Sequence, residues 1–295
     1  MLMVTGANGN LGGLVVANLM NLVGPSGFVA GTRNTESPRA RELAASGVEV
    51  RLCDFDDPTT LPAAFRDVEA ALIISTYADN TVRARQNRNA IDAAGQAGVR
   101  RLAYTSFLNC SPDSLAEHSQ LVHYPTEQAL IASGMAYTVL RHALYADIMV
   151  NDLDDTLATG VLRRAGGAAP CAYIAREDLG LSAATVLAKP GHENRIYNET
   201  MSEAFTGAQV AALISKVFGR DIRYEAVAAE DWPQYMSSHW GLPLELAKSS
   251  LGTMKAIEAG QFNMATPDYE AITGRPAMTM EQFLERVRDQ RAGAA

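Results

Sequence analysis

The opening stretch Met1-Leu-Met-Val-Thr-Gly-Ala-Asn-Gly-Asn-Leu-Gly12 constrains the fold more than any other part of the chain. An apolar run from Met1 to Val4 stops at Gly6, glycines recur at Gly9 and Gly12, and Leu14, Val15, Ala17, Asn18, Leu19 and Leu22 then read as a helix with one apolar face. Strand, glycine-rich turn and helix together make a phosphate cradle. Gly6 permits the tight turn, Gly9 lets backbone approach a pyrophosphate, and Gly12 lets the helix pack closely on the strand. The helix start adds free N–H groups and the positive end of its dipole, so Gly6, Asn8, Gly9, Asn10, Leu11 and Gly12 are the first cofactor-binding candidates. A glycine turn can also be purely structural; its place between a strand and a helix favours nucleotide binding.

The pattern behind this turn repeats. Strands are predicted at Phe28–Arg33, Val48–Asp54, Glu69–Ser75, Arg101–Ser106 and Ala136–Arg141, with helices at Ser37–Gly47, Asp57–Phe65, Val82–Ala97 and Pro125–Ser133 between them. The run Glu69-Ala-Ala-Leu-Ile-Ile-Ser75 is almost continuously apolar, as in a strand covered on both faces. Such alternation implies an α/β, Rossmann-type doubly wound parallel sheet. Beyond Arg141 the rhythm breaks into helices at Tyr145–Thr159, Arg176–Ala188 and Thr206–Phe218 and short strands at Arg195–Asn198 and Ile222–Val227, with a frayed tail from Arg291. The expected division is a nucleotide-binding domain over 1–147, to which about 172–200 can return, and a smaller, mainly helical substrate cap over 148–295.

Composition narrows the function. A net charge of −8 argues against a nucleic-acid binder, which needs basic patches. No apolar stretch reaches the roughly 18 residues of a membrane span. A first strand beginning at Met1 leaves no room for a signal peptide, so the expected location is cytoplasmic. The three cysteines, Cys53, Cys110 and Cys171, lack metal-ligand spacing and read as free packing thiols. His118, His192 and His239 are scattered, and no metal site is expected.

Arg33 follows the second strand, where an acidic residue would bind the adenosine ribose of NAD. An arginine there suits the 2′-phosphate of NADP(H) through charge-assisted contacts, or is a solvated surface residue. Asp54-Phe55 ends the third strand and either borders the adenine or forms a turn and cap.

With these residues in hand, the chain resembles the NmrA-like group of atypical short-chain dehydrogenase/reductases. The likeness is carried by Val4-Thr-Gly-Ala-Asn-Gly-Asn-Leu-Gly12, Gly31-Thr-Arg-Asn34, Tyr104-Thr-Ser106, His123-Tyr-Pro-Thr-Glu-Gln-Ala-Leu130, Tyr137-Thr-Val-Leu-Arg141, Ala175-Arg-Glu-Asp178 and Thr273-Gly-Arg-Pro276. Within that group it is similar to NADPH-dependent quinone oxidoreductases of the type 2 class and to azo-dye and triphenylmethane reductases. The resemblance implies a nicotinamide site built from Ile74-Ser75-Thr76, Thr105-Ser106-Phe107 and the loop after Arg141, all at strand C-termini as the fold rule requires. The wider superfamily uses Tyr-x-x-x-Lys; Tyr124 and Gln128 stand at the comparable positions here, and a glutamine cannot lower a tyrosine pKa as a lysine does.

The catalytic candidates are therefore Tyr124, His123 and His142, with Phe107, Tyr145 and Trp232 against the substrate; His142 and Tyr145 can equally pack in a crossover loop, and Trp232 in the core of the cap, the commoner role of such a ring. His123 is either a ligand-facing residue leading into the helix or a surface residue, and Glu127 reads as support for the helix N-terminus. The expected activity is hydride transfer from NADPH to a planar conjugated acceptor such as a quinone, which delocalises the incoming charge and needs little acid help. Two alternatives stay open: a non-catalytic NADP(H) sensor of the NmrA type, with a protein partner, and a biosynthetic reductase for one pathway intermediate. The expected partner is a small aromatic or conjugated molecule, with a homodimer kept open.

Overall fold

Strand and helix alternate through the first half of the chain as the apolar periodicities require. The computed structural model describes residues 1–294. Strands β1 (Leu2–Val4), β2 (Phe28–Thr32), β3 (Glu49–Leu52), β4 (Ala70–Ile73), β5 (Arg101–Phe107) and β6 (Ala136–His142) are followed by the short β7 (Leu144–Tyr145), β8 (Val161–Arg164) and β9 (Cys171–Ile174), and then by β10 (Arg195–Glu199). The main sheet has seven parallel strands in the order β10-β6-β5-β4-β1-β2-β3. This is a Rossmann-type doubly wound sheet whose order reverses beside β1, so ligands belong at the C-terminal ends around that switch. Every residue of β2 and β4 is buried, because helices cover both faces.

On one face lie α1 (Asn10–Val23) and, much later in the chain, α7 (Arg176–Ala188); α2 (Pro38–Ala45) links β2 to β3. On the other face lie α3 (Leu61–Ala64), α4 (Asn80–Gln96) and α5 (Tyr124–Ala132). A Cβ on Gly180 of α7 would come within 2.5 Å of Leu14 Cβ, so glycine is what lets α7 press against α1. Through α7 and β10 the chain between 172 and 200 rejoins the sheet beyond β6. Phe28, Phe65 and Tyr104 are fully buried in these two layers, each contributing about 1.5–3 kcal/mol by leaving water.

The rest is mainly helical, with α6 (Leu153–Thr159), α8 (Gly207–Phe218) and α9 (Trp232–Trp240), plus β11 (Ala204–Phe205) against β9 and β12 (Arg223–Ala226) beside β8. Thr206 and Gln209 close α8 with a reciprocal capping box. The stretch expected as one helix over 145–159 is instead a 3₁₀ segment, Ala146–Val150, followed by α6, because the chain must turn to place Asp152 under Arg164. The tail expected to fray from Arg291 is the last turn of a helix running Met280–Ala294, where Arg291 pairs with Asp154; Ala295 lies outside the described residues. Among the described residues no helix is long and apolar enough to cross a membrane.

Trp232 packs in the core of the cap. It is 3% exposed, stacks on Tyr235 at 5.1 Å and meets Trp240 edge-on at 5.2 Å, beside the buried Arg164–Asp152 pair. A large apolar ring in a helix opened by a proline is drawn into the nearest core. Trp232→Ala is expected to cost about 3–5 kcal/mol of stability by urea unfolding while leaving relative acceptor preference unchanged.

Candidate active site

The glycine turn has the geometry of a dinucleotide cradle. Gly6 adopts φ +63°, in the left-handed region that favours glycine. Gly9 is the N-cap of α1 and donates its N–H to Gly6 O at 2.9 Å. A Cβ on Gly12 would lie 2.1 Å from Gly6 O, so helix and turn touch backbone to backbone. Gly9 and Asn10 are exposed, and Leu11 turns into the core to hold the helix start. Asn8 Nδ2 donates to Thr32 Oγ1 and to Ser37 Oγ, each at 2.7 Å, which ties the turn to the end of β2 and the cap of α2. This scaffold matches a pyrophosphate at a helix N-terminus.

Arg33, after β2, is exposed and pairs with no carboxylate among the described residues. Arg39, missed in the sequence, lies across the turn, its Nη1 3.4 Å from Asn8 O and 3.5 Å from Gly9 O. Asp54 serves a turn, accepting the Asp56 N–H at 3.0 Å. The Phe55 side chain packs in the core under the sheet, 5% exposed, beside the short helix after β3. Arg33→Asp is expected to weaken NADPH about 10- to 100-fold and NADH much less, read by calorimetric titration with both cofactors.

At the other end the hydroxyls assigned to a nicotinamide are largely spent on the scaffold. Thr105 Oγ1 accepts the Ser75 N–H at 2.9 Å, and the Thr76 hydroxyl donates to Gln86 Oε1. Ser106 donates to Glu127 Oε1 at 2.5 Å, in a site where Ser106 is 4% exposed. These residues shape the wall after β4 and β5, with the Ser106 proton committed to Glu127 and the Thr105 oxygen to the Ser75 N–H. Glu127 stands in the first turn of α5, as a residue supporting the helix start should, but it is buried. It is 1% exposed and takes a two-pronged contact from Arg141, Nη2 to Oε2 at 2.6 Å and Nε to Oε1 at 3.0 Å, which pins α5 to β6.

His123 is neither on the surface nor at a lead-in. One π-helical turn, Ser119–His123, runs straight into α5 and rotates the ring inward. Its Nδ1 lies 2.8 Å from Tyr104 Oη and its Nε2 3.2 Å from Arg83 Nη2. A guanidinium can only donate, so Nε2 accepts and Nδ1–H donates to Tyr104, an assignment made from the network. Burial first, then the Arg83 charge, holds the imidazole well below its usual pKa. With both nitrogens engaged, His123 supports Arg83 rather than donating a proton. Burial likewise lowers His118 to about 4, and its ring stands 4.4 Å from Phe107, which also meets Phe262 at 5.3 Å. Tyr124 is half-buried at the start of α5 and makes no side-chain hydrogen bond to a described residue, while Gln128 one turn on is exposed.

Arg83 and Glu199 were not singled out from the sequence. Arg83 projects from α4 and also donates to Ser75 Oγ at 3.2 Å; its only sequence signal is the i, i+4 spacing to Asn87, which reaches Tyr104 Oη at 3.0 Å. Glu199 ends β10 directly opposite His142 on β6. His142 Nε2 and Glu199 Oε2 are 3.4 Å apart, the side chains 1% and 0% exposed, and neither Glu199 oxygen has a hydrogen-bond partner. His142 Nδ1 lies 3.4 Å from Tyr145 Oη. Burial pushes the Tyr145 phenol up to about 12, opposed by Arg176, whose guanidinium sits 5.0 Å over the ring. The structure thus brings His142 and Tyr145 together as the loop after β6 suggested. Asp178, two residues past Arg176, accepts Tyr269 Oη at 3.0 Å and the Met278 N–H at 2.8 Å, fastening the C-terminal segment under the site. Among the described residues no cluster of three or more His, Cys, Asp or Glu is suited to a metal ion.

Comparison with known proteins fits this geometry. The NmrA-like family model matches residues 1–284. Quinone oxidoreductase 2 of Escherichia coli (strain K12) is 35% identical over 97% of this chain and 98% of its own. NAD(P)H azoreductase of Xenophilus azovorans is 31% identical over 96% of each. The crystal structure of the Citrobacter sp. triphenylmethane reductase complexed with NADP(H) superposes with a TM-score of 0.90 at 32% identity, covering 97% of this chain and 99% of that one. Glycine cradle, sheet order and whole-chain likeness agree, and the chain belongs to the NmrA-like family.

Proposed function

We propose that this chain is an NADPH-dependent reductase that passes hydride to a planar conjugated acceptor such as a quinone. The observation that carries the reading is an NADP-type cradle leading to strand ends flanked by Phe107 and Tyr145, with Gln128 rather than a lysine one turn after Tyr124. The relatives named for quinone and azo substrates support the same acceptor class. When bound, NADPH supplies the hydride. Gly6, Asn8, Gly9, Asn10, Leu11 and Gly12 hold its pyrophosphate and Arg33 its 2′-phosphate. Ser75, Thr76, Thr105 and Ser106 fix the wall beside which the nicotinamide lies. Phe107 and Tyr145 hold a flat acceptor and keep water out, so that orientation supplies most of the rate. His142, backed by Glu199, steadies the Tyr145 hydroxyl and handles the proton that completes reduction. Residues 1–147, with the returning 172–200 segment, bind the cofactor, and the remainder closes over the acceptor.

The test follows NADPH absorbance with a panel of quinones, azo dyes and enones. Several acceptors of this class should be reduced, and NADH should serve less well. Tight NADPH binding with no oxidation by any acceptor would contradict the reading and favour a sensor, or an enzyme restricted to one intermediate.

A further inference from the structure

Arginines drawn into this protein's interior carry a carboxylate, with one exception. Arg141 holds Glu127 at 2.6 Å and Arg164 holds Asp152 at 2.7 Å. Arg83 has no carboxylate within 4 Å among the described residues, and its Nε is fully buried without a hydrogen-bond partner. Its contacts are the Ser75 hydroxyl and the neutral His123 ring. Leaving a cation desolvated without a counter-ion costs several kcal/mol as a rule, and the chain retains that cost at the strand ends where ligands bind.

We propose that Arg83 is the oxyanion-stabilising residue of this site, a fixed guanidinium whose missing counter-ion is the anion of the reduced acceptor. The inference rests on the reductase reading. An acceptor that takes a hydride gains two electrons and one proton while the dihydronicotinamide is oxidised to the nicotinamide cation. The former carbonyl oxygen is then left as a phenolate or enolate until the proton handled at His142 neutralises it. A preorganised donor aimed at that oxygen stabilises it most where water is absent. The chain therefore lacks a lysine at 128 without lacking a cation. His123 holds Arg83 by accepting from Nη2, which requires the ring to stay neutral, as its burial ensures. The preferred substrates are accordingly conjugated carbonyl compounds whose reduced forms are phenolates or enolates, over acceptors that become neutral on hydride uptake.

The test uses 4-nitrophenol, a planar mimic whose ionisation is visible in its absorbance, titrated with pH in the presence of the NADP⁺-loaded and the cofactor-free protein. Bound to the parent, its pKa should fall by at least about one unit, as beside any close opposite charge. Arg83→Met should abolish that shift while NADP⁺ affinity changes less than about threefold, and Arg83→Lys should restore part of it; melting curves check that both variants fold. An equal shift in Arg83→Met, no binding of nitrophenolate by the parent, or a loss of NADP⁺ affinity in Arg83→Met matching the loss of nitrophenolate would each overturn the assignment. The titration needs no turnover, so a parent inactive on every quinone would sink the reductase reading without deciding this one.

Discussion

Gly12→Ala is expected to lower NADPH affinity by about a hundredfold or more, because the added methyl would sit 2.1 Å from Gly6 O and 2.8 Å from Gly6 C. Both are backbone atoms, so nothing flexible can give way; the turn must shift by about an ångström, enough to displace a bound cofactor. Overpacking of this kind also costs about 1–3 kcal/mol of stability. Gly9→Val is the informative companion. Gly9 is exposed, and its nearest clash is a 3.2 Å approach to Gly6 O. That variant should fold with nearly parental stability and still fail to bind, since its side chain occupies pyrophosphate space. Calorimetric titration with urea unfolding on both variants checks the pair. Parental NADPH binding by folded Gly12→Ala would mean that the cofactor does not use this turn.

Glu127→Ala carries the largest expected loss of stability, about 3–5 kcal/mol, because it leaves Arg141 partly buried without its partner and strands the Ser106 hydroxyl. Removing both charges together, as Glu127→Met with Arg141→Met, should recover most of that loss if volume rather than charge holds α5 to β6. Urea unfolding of the two single variants and the double closes the cycle. A Glu127→Ala protein as stable as the parent would show that the ion pair contributes nothing to this packing.

The cradle and sheet were legible because local rules and tertiary demands coincide there. Gly6 and Gly12 are required by backbone geometry, and the apolar run at 69–75 by burial on both faces of β4. The nicotinamide end was less legible. His123 reads as a lead-in residue because Pro125 marks a helix start, but a π-helical turn carries the helix through it and rotates the ring inward. Glu127 reads as support for a helix start and Ser106 as a cofactor contact, and only the fold shows that they bond to each other. Arg83 and Glu199 give almost no local signal, since one lies on an ordinary polar helix and the other ends an edge strand; their roles come from what the sheet sets opposite them. Trp232 and Phe55 each offered two readings in the sequence, and only the fold shows their rings packed in cores.

The most direct measurement is label transfer from NADPH deuterated at nicotinamide C4 to acceptors that keep the label on carbon, an enone and a triarylmethane cation, read by mass spectrometry of the products. The account predicts one deuterium per product molecule from one face of the nicotinamide only, with the transfer lost in Gly12→Ala. Reduced product without deuterium from either face, or no product while NADPH stays bound, would contradict it.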